Sequence, residues 1–420
     1  MRMDLHTVLG LINADREEHV SFLQRFIRAP SANPPGDTRA AAATILSYLK
    51  SKAVPTEIIA PNPLMPNVVS DFTCGDPQGP RLILNGHIDV FPVGDGSDWA
   101  RDPWSGDRAN GRIYGRGTVD MKAGTAASVI AYAYLYKYRQ FLRGSVALCA
   151  VSDEETGGKF GSKFLLEDER WRGDCMINAE PGGTRNIRFA EKGTLRLSFR
   201  VRTEGAHGAY LHKSKSAVRI AARLINDLAE VERISPKSDP RLVAYMRRKE
   251  VRDTVDDAMG EGAADIMFKC TLNIGIINGG LKVNMIPGDC QFQADLRLPV
   301  GLEAVEVLDL ISETLKKYPE VTMLVQEAAS NPSSVCSHEH PMVEILSRTA
   351  GTLTGDKVVA IPSLGATDCK FWRYRQVPAY VYGVSPETMA ARDESVSEDE
   401  FLIVLKTHAL AGWEYLGGRK

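Results

Sequence analysis

A chain of 420 residues is too long for one ordinary hydrophobic core, so two domains, or one domain with a large insertion, are expected. Apolar residues at 44% and charged residues at 25% are the balance of a folded globular protein, and 51 basic against 53 acidic side chains leave no basic excess for nucleic acid. No apolar run approaches the ~20 residues of a membrane helix, which excludes a spanning segment of that kind.

The start, MRMDLHTVLGLINADREEHV, lacks a signal-peptide core; its Leu5, Val8, Leu9 and Ile12 fall at helical spacing. Seven scattered cysteines form no CxxC pair and read as reduced thiols, so a cytoplasmic location is expected. Arg81 to Asn85 is a short apolar strand running into Gly86-His87. Lys122 to Tyr138 reads as a helix rich in alanine and tyrosine. Ser145 to Val151 and Cys175 to Asn178 are further buried strands, ending at Ser152-Asp153-Glu154-Glu155 and Ala179-Glu180-Pro181. Polar groups thus recur at the carboxyl ends of apolar strands, where open α/β sheets bind ligands.

From Gly193 the texture changes. Thr194 to Val201 alternates as a half-exposed strand, expected to offer an open sheet edge for pairing. A helix over Ser216–Val231 follows, then a charged stretch from Ser235 to Lys269, broken by Pro236 and Pro240, that reads as a peripheral insertion. Strands at Thr271–Ile277 and Asp289–Leu298, a helix at Glu303–Lys317 and a strand at Val321–Gln326 complete a βαββαβ sandwich with a one-sided sheet. Buried patterns return after His340. The expected division is 1–193 plus 327–420 around an inserted 194–326.

Four segments carry chemistry. In N-G-H-I-D-V-F-P, His87 can ligate a metal while Asp89 orients an imidazole or tunes the metal; a loop histidine with a capping aspartate is the plainer alternative. Gly115-Arg-Gly-Thr-Val-Asp120-Met-Lys-Ala-Gly124 sets Asp120 at a helix start, where it could equally be an N-cap. Adjacent Glu154 and Glu155 on an extended segment would point opposite ways, one to metal and one to substrate, unless they are a solvated acidic loop. Glu180 adds a further carboxylate, or merely opens a turn.

In this order, H-x-D-V-x-P, GRGTVDMKAG, the EE pair and the AEP turn resemble the metallopeptidase and deacylase family of acetylornithine deacetylase, succinyl-diaminopimelate desuccinylase, aminoacylase and glutamate carboxypeptidase. The resemblance implies a zinc-peptidase-like α/β catalytic domain, a mixed sheet flanked by helices, with an inserted α+β lid and dimerisation domain. It implies that His87, Asp120 and Glu180 hold one metal, that Asp120 bridges to a second served by Glu155, and that Glu154 is the general base, with Asp89 behind His87. By the same resemblance His207, in Gly205-Ala-His207-Gly208, reaches a neighbouring subunit's site and stabilises developing negative charge. Asn284 is a second polar contact, Arg297 holds a substrate carboxylate, and Gly365-Ala-Thr367-Asp368 lines the substrate site.

One position departs from the pattern. Where the family has a histidine four residues before a glutamate, this chain reads Met389-Ala390-Ala391-Arg392-Asp393-Glu394, and Ala390 has no donor. None of His6, His19, His212, His338, His340 and His408 has the local context to replace it. One tightly held divalent ion per chain is therefore expected: zinc, manganese or cobalt. The leading reading is hydrolysis of a C–N bond, most often an amide, in a small carboxylate-bearing substrate by a homodimer or higher homo-oligomer. An aminohydrolase releasing ammonia from an aromatic amine, as in the nitroanthranilate aminohydrolase branch, is the alternative. A non-catalytic binding protein is a third reading, against which the intact Glu154 argues.

Overall fold

The computed structural model describes residues 3–419. They form two compact units, one of residues 3–189, 336–361 and 367–419, the other of 190–335 and 362–366.

The first unit is built on a mixed sheet. Its strands run in the order Glu57–Ile59, Asn67–Thr73, Arg143–Val151, Asp76–His87, Cys175–Asn178, Ala379–Val381 and Asn186–Glu191. Asp76–His87 is parallel to both Arg143–Val151 and Cys175–Asn178, and Ala379–Val381 is parallel to Cys175–Asn178. Buried on both faces, their central stretches, Leu82–Leu84, Val146–Val151 and Cys175–Ile177, are continuous apolar runs rather than alternating ones.

On one face lies the helix Ala123–Lys137, buried from Ala123 through Leu135 and packed against Glu398–Tyr415. Its alanines let it come close, and Gly124 is required outright, because a Cβ there would collide with the Ala179 carbonyl oxygen. The other face is closed by Leu165, Leu166, Trp171, Phe371 and Trp372 over Ile83, Cys149 and Met176. The layering is α/β/α.

The second unit carries an antiparallel sheet in the order Thr271–Gly279, Asp289–Leu298, Gly193–Arg202, Val321–Val325. Helices Ala217–Leu228 and Ala304–Leu315 bury Leu224 and Ile311 against Leu197, Phe199, Phe292 and Leu296. The strand Gly193–Arg202 is paired on both sides, so the edge expected at Thr194–Val201 is instead the exposed strand Thr271–Gly279. Alternating burial reports which face is covered; it says nothing about whether the backbone has a neighbour on each side. The charged stretch after Ser235 is also more ordered than its prolines suggest. It folds into helices Pro240–Met246, Lys249–Met259 and Ala263–Ile266, with Pro240 at the first turn behind an Asp239 cap.

Candidate metal centre

The centre grows out of the sheet register. His87 lies opposite Val151, and Asn85 lies opposite both Cys149 and Asn178. The residues that follow, Ile88-Asp89, Ser152 to Glu155 and Ala179-Glu180, therefore leave the sheet side by side. A buried amide pair fixes one of these exits: Asn178 Nδ2 donates to Asn85 Oδ1 at 2.8 Å, and the Glu180 amide donates to Asn178 Oδ1 at 2.7 Å.

His87 is 1% exposed. Its Nδ1 donates to the Asp89 carbonyl oxygen at 2.8 Å, which turns Nε2 toward Asp120 Oδ1 at 3.0 Å and Glu180 Oε1 at 3.4 Å. Potential ligand atoms of His87, Asp120 and Glu155 lie within 4.8 Å of one another, and so do those of His87, Glu154 and Glu180.

Asp120 is not a helix cap. It sits in the turn Thr118–Lys122 at φ -115 and ψ 100, outside helical geometry, and the helix beginning at Ala123 receives no side-chain cap. The two glutamates are not on an extended segment either. The strand ends at Val151, Asp153 at φ 75 turns the chain, and Glu154–Thr156 is a 3-10 turn that aims both carboxylates at His87. The Asp89 carboxylate anchors that turn, accepting the amides of Glu154 at 3.3 Å and Glu155 at 3.1 Å, and the Asn33 side chain at 2.8 Å. Its Oδ1 lies 3.5 Å from His87 Nδ1, so its support for His87 itself is the weaker contact.

Concentrating acids out of water perturbs them. Burial pushes Glu154 up to about 8, reinforced by Glu180 and Asp368 and opposed by Lys370, whose Nζ lies 3.6 Å from Glu154 Oε1. Burial and the Asp120 charge push Glu155 up to about 11, and burial and Asp120 push Glu180 up to about 7. Burial alone would lower His87, but Glu180, Asp120 and Asp89 hold it well above its usual value. This excess of negative charge fits a divalent cation, which would neutralise it and lower the carboxyl groups again. Glu155 Oε1, buried and without a hydrogen-bond partner, is a donor atom left for such an ion.

Ala390 is exposed, at φ 59, and among the described residues no second histidine joins the cluster. His408 is held elsewhere, Nε2 to the Tyr382 carbonyl at 2.9 Å.

The remaining sequence-derived candidates fall in both units. Within the second, His207 pairs with Met285, and the Gly208 amide donates to the Asn284 carbonyl at 2.7 Å, so His207 and Asn284 share one exposed corner. Arg297 Nε donates to Asp295 Oδ2 at 3.1 Å. Gly365 belongs to the second unit's 362–366 segment and donates its amide to Ser363 Oγ at 3.2 Å. Thr367, in the first, accepts the Cys369 amide on its Oγ1 at 3.2 Å and Lys370 Nζ on its carbonyl at 2.9 Å, just before the helix Cys369–Arg373. Sequence reasoning missed Asn33 and Lys370. A Pro-flanked asparagine and a lysine two residues past the GATD turn were the available signals.

A buried imidazole amid four carboxylates, at the ends of parallel strands in an α/β/α body, defines a metal-dependent hydrolase. The pattern of peptidase family M20/M25/M40 matches residues 83–412, and the chain belongs to that family, whose members hydrolyse amide bonds. A probable succinyl-diaminopimelate desuccinylase of Staphylococcus epidermidis is 26% identical over 377 residues, covering 85% of this chain and 89% of that protein. In fold the chain is similar to an M20 family metallo-carboxypeptidase of Sulfolobus solfataricus (TM-score 0.80, 18% identity, 95% and 99% of the two chains). It is also similar to a dinuclear metal-binding M20 peptidase of Bacillus subtilis (TM-score 0.66, 13% identity, 97% and 99%).

Proposed function

We propose that this protein hydrolyses an amide bond in a small carboxylate-bearing substrate, with Glu154 as general base and one tightly held divalent ion on His87, Asp120 and Glu180. The observation that carries this reading is the approach of Asp120 and Glu180 to a single nitrogen, His87 Nε2, with Glu154 beside them. A divalent ion there supplies Lewis acidity, lowering the pKa of a water and polarising the scissile carbonyl. Glu154 takes the proton of the attacking water and returns it to the leaving nitrogen. Asp89 holds the turn from which Glu154 works.

Zinc, manganese and cobalt all suit one imidazole and two carboxylates. Glu155 and Asp120, without an imidazole at position 390, bind a second ion only loosely. Residues 194–326 act as lid and dimerisation domain. Ile276 and Ile277, each about half exposed on the edge strand Thr271–Gly279, support a homodimer in which His207 serves the neighbouring subunit's centre. Asn284, Arg297, Gly365 and Thr367 contact substrate, with Arg297 exchanging Asp295 for a substrate carboxylate. Seven free cysteines support a cytoplasmic location.

A panel of N-succinyl and N-acetyl amino acids and dipeptides, assayed with manganese, cobalt or zinc for release of free amine and carboxylic acid, tests the reading. The missing donor at Ala390 favours one second reading, an aminohydrolase. Ammonia released without a carboxylic-acid co-product would establish that reading and refute amide hydrolysis.

A further inference from the structure

The segment that lacks the histidine is nevertheless tied to the centre. Glu394 is completely buried, and its two carboxylate oxygens divide four donors between them. Oε1 accepts the amides of Val119 at 2.7 Å and Asp120 at 3.1 Å. Oε2 accepts the Gly117 amide at 3.1 Å and Arg116 Nη1 at 2.7 Å. The Glu394 carbonyl takes the Gly115 amide at 2.8 Å, and Arg116 Nη1 also reaches the Ala391 carbonyl at 3.1 Å. The whole Gly115–Asp120 loop is thus folded around one side chain distant in sequence. Besides the Arg116 amide on the Pro103 carbonyl at 2.8 Å and the Thr118 hydroxyl on the Gly115 carbonyl at 2.8 Å, Glu394 supplies the acceptors for an irregular backbone, in which Gly117 is left-handed at φ 80 and Asp120 is non-helical.

From this geometry we infer that Glu394 is a positioning residue for the metal centre: it sets the loop so that Asp120 faces His87 Nε2. The inference rests on the reading of Asp120 as a ligand. Only a carboxylate does the work, since both oxygens must accept. A glutamine offers one oxygen and turns an NH2 group against the other pair of donors, while an aspartate is a methylene short. Residues that orient ligands from behind typically cost 10–100-fold in metal affinity when changed.

The test uses full-length protein stripped with chelator and titrated calorimetrically with Mn2+ alone, for wild type, Glu394→Gln, Glu394→Ala and Asp120→Ala. Circular dichroism and melting of the stripped proteins are read alongside. Expected are a folded Glu394→Gln with Mn2+ affinity lowered at least about 10-fold and an Asp120→Ala with no tight site. Wild-type Mn2+ affinity in a folded Glu394→Gln, with Asp120→Ala still disabled, overturns the inference alone. Wild-type affinity in Asp120→Ala overturns the ligand reading beneath it. Failure of both Glu394 variants to fold also overturns the inference, because the clamp would then hold the domain rather than the ligand.

Discussion

Stripping the metal should make the protein's stability fall as pH rises from about 4.5 to 8. Glu180 supplies the magnitude. Its carboxyl is raised from 4.5 to about 7 by burial and the neighbouring Asp120 charge. A raised folded-state pKa means the native protein binds more protons than the unfolded chain. The associated stability is therefore complete below pH 4.5 and is lost as pH climbs through the folded value. The difference, 7 minus 4.5, multiplied by 1.36 kcal/mol per unit, is on the order of 3 kcal/mol from this group alone. Glu154, raised to about 8, extends the loss to higher pH. At roughly 1 °C per kcal/mol for a chain of 420 residues, from about 2.1 cal/mol/K of unfolding entropy per residue, the stripped protein should melt a few degrees lower at pH 8 than at pH 6. Metal should reverse the trend, because ligands must lose protons to bind it and affinity rises with pH. Melting of chelator-treated and Mn2+-loaded protein across this range is the assay. A stripped protein whose melting temperature is flat or rising between pH 6 and 8 would refute the claim that these buried carboxyls outweigh the positive charge that His87 and Lys370 set beside them.

Elemental analysis after dialysis should give about one metal per chain, and Ala390→His should raise it towards two. Histidine is among the residues that accept the left-handed backbone found there, so the substitution carries little strain, and two ions in dialysed wild type would disprove the one-metal reading. Light scattering should show a homodimer that Ile276→Lys dissociates, because a lysine on an exposed edge strand blocks pairing; a fully active wild-type monomer would contradict the role given to His207. Gly124→Ala should cost about 1–3 kcal/mol in denaturant unfolding, the range for forcing a methyl into a filled site, because it meets the Ala179 carbonyl; an unchanged midpoint would show that the helix can withdraw.

The parallel strands were readable because they are short, apolar and end in polar residues, and His87, Glu154, Glu155 and Glu180 follow directly from those ends. What sequence withheld was backbone pairing and turn geometry. Alternation in Thr194–Val201 identified its covered face but not its central place between Asp289–Leu298 and Val321–Val325. The Glu154-Glu155 pair was read as extended, whereas a left-handed Asp153 starts a tight turn there. Pro240 looked like a breaker and is a helix start. Glu394 was visible only as a frame residue beside Ala390, since the donors it binds are backbone amides far away in sequence, which no side-chain pattern announces.

The most direct test of the central claim is the Glu154→Gln protein, measured for metal content and turnover together. Glu154 is taken to move protons rather than to hold the ion, so the variant should keep its metal and lose turnover by at least about 100-fold. A variant that retains near-normal turnover, or that loses its tightly bound metal along with activity, would contradict the assignment of Glu154 as the general base.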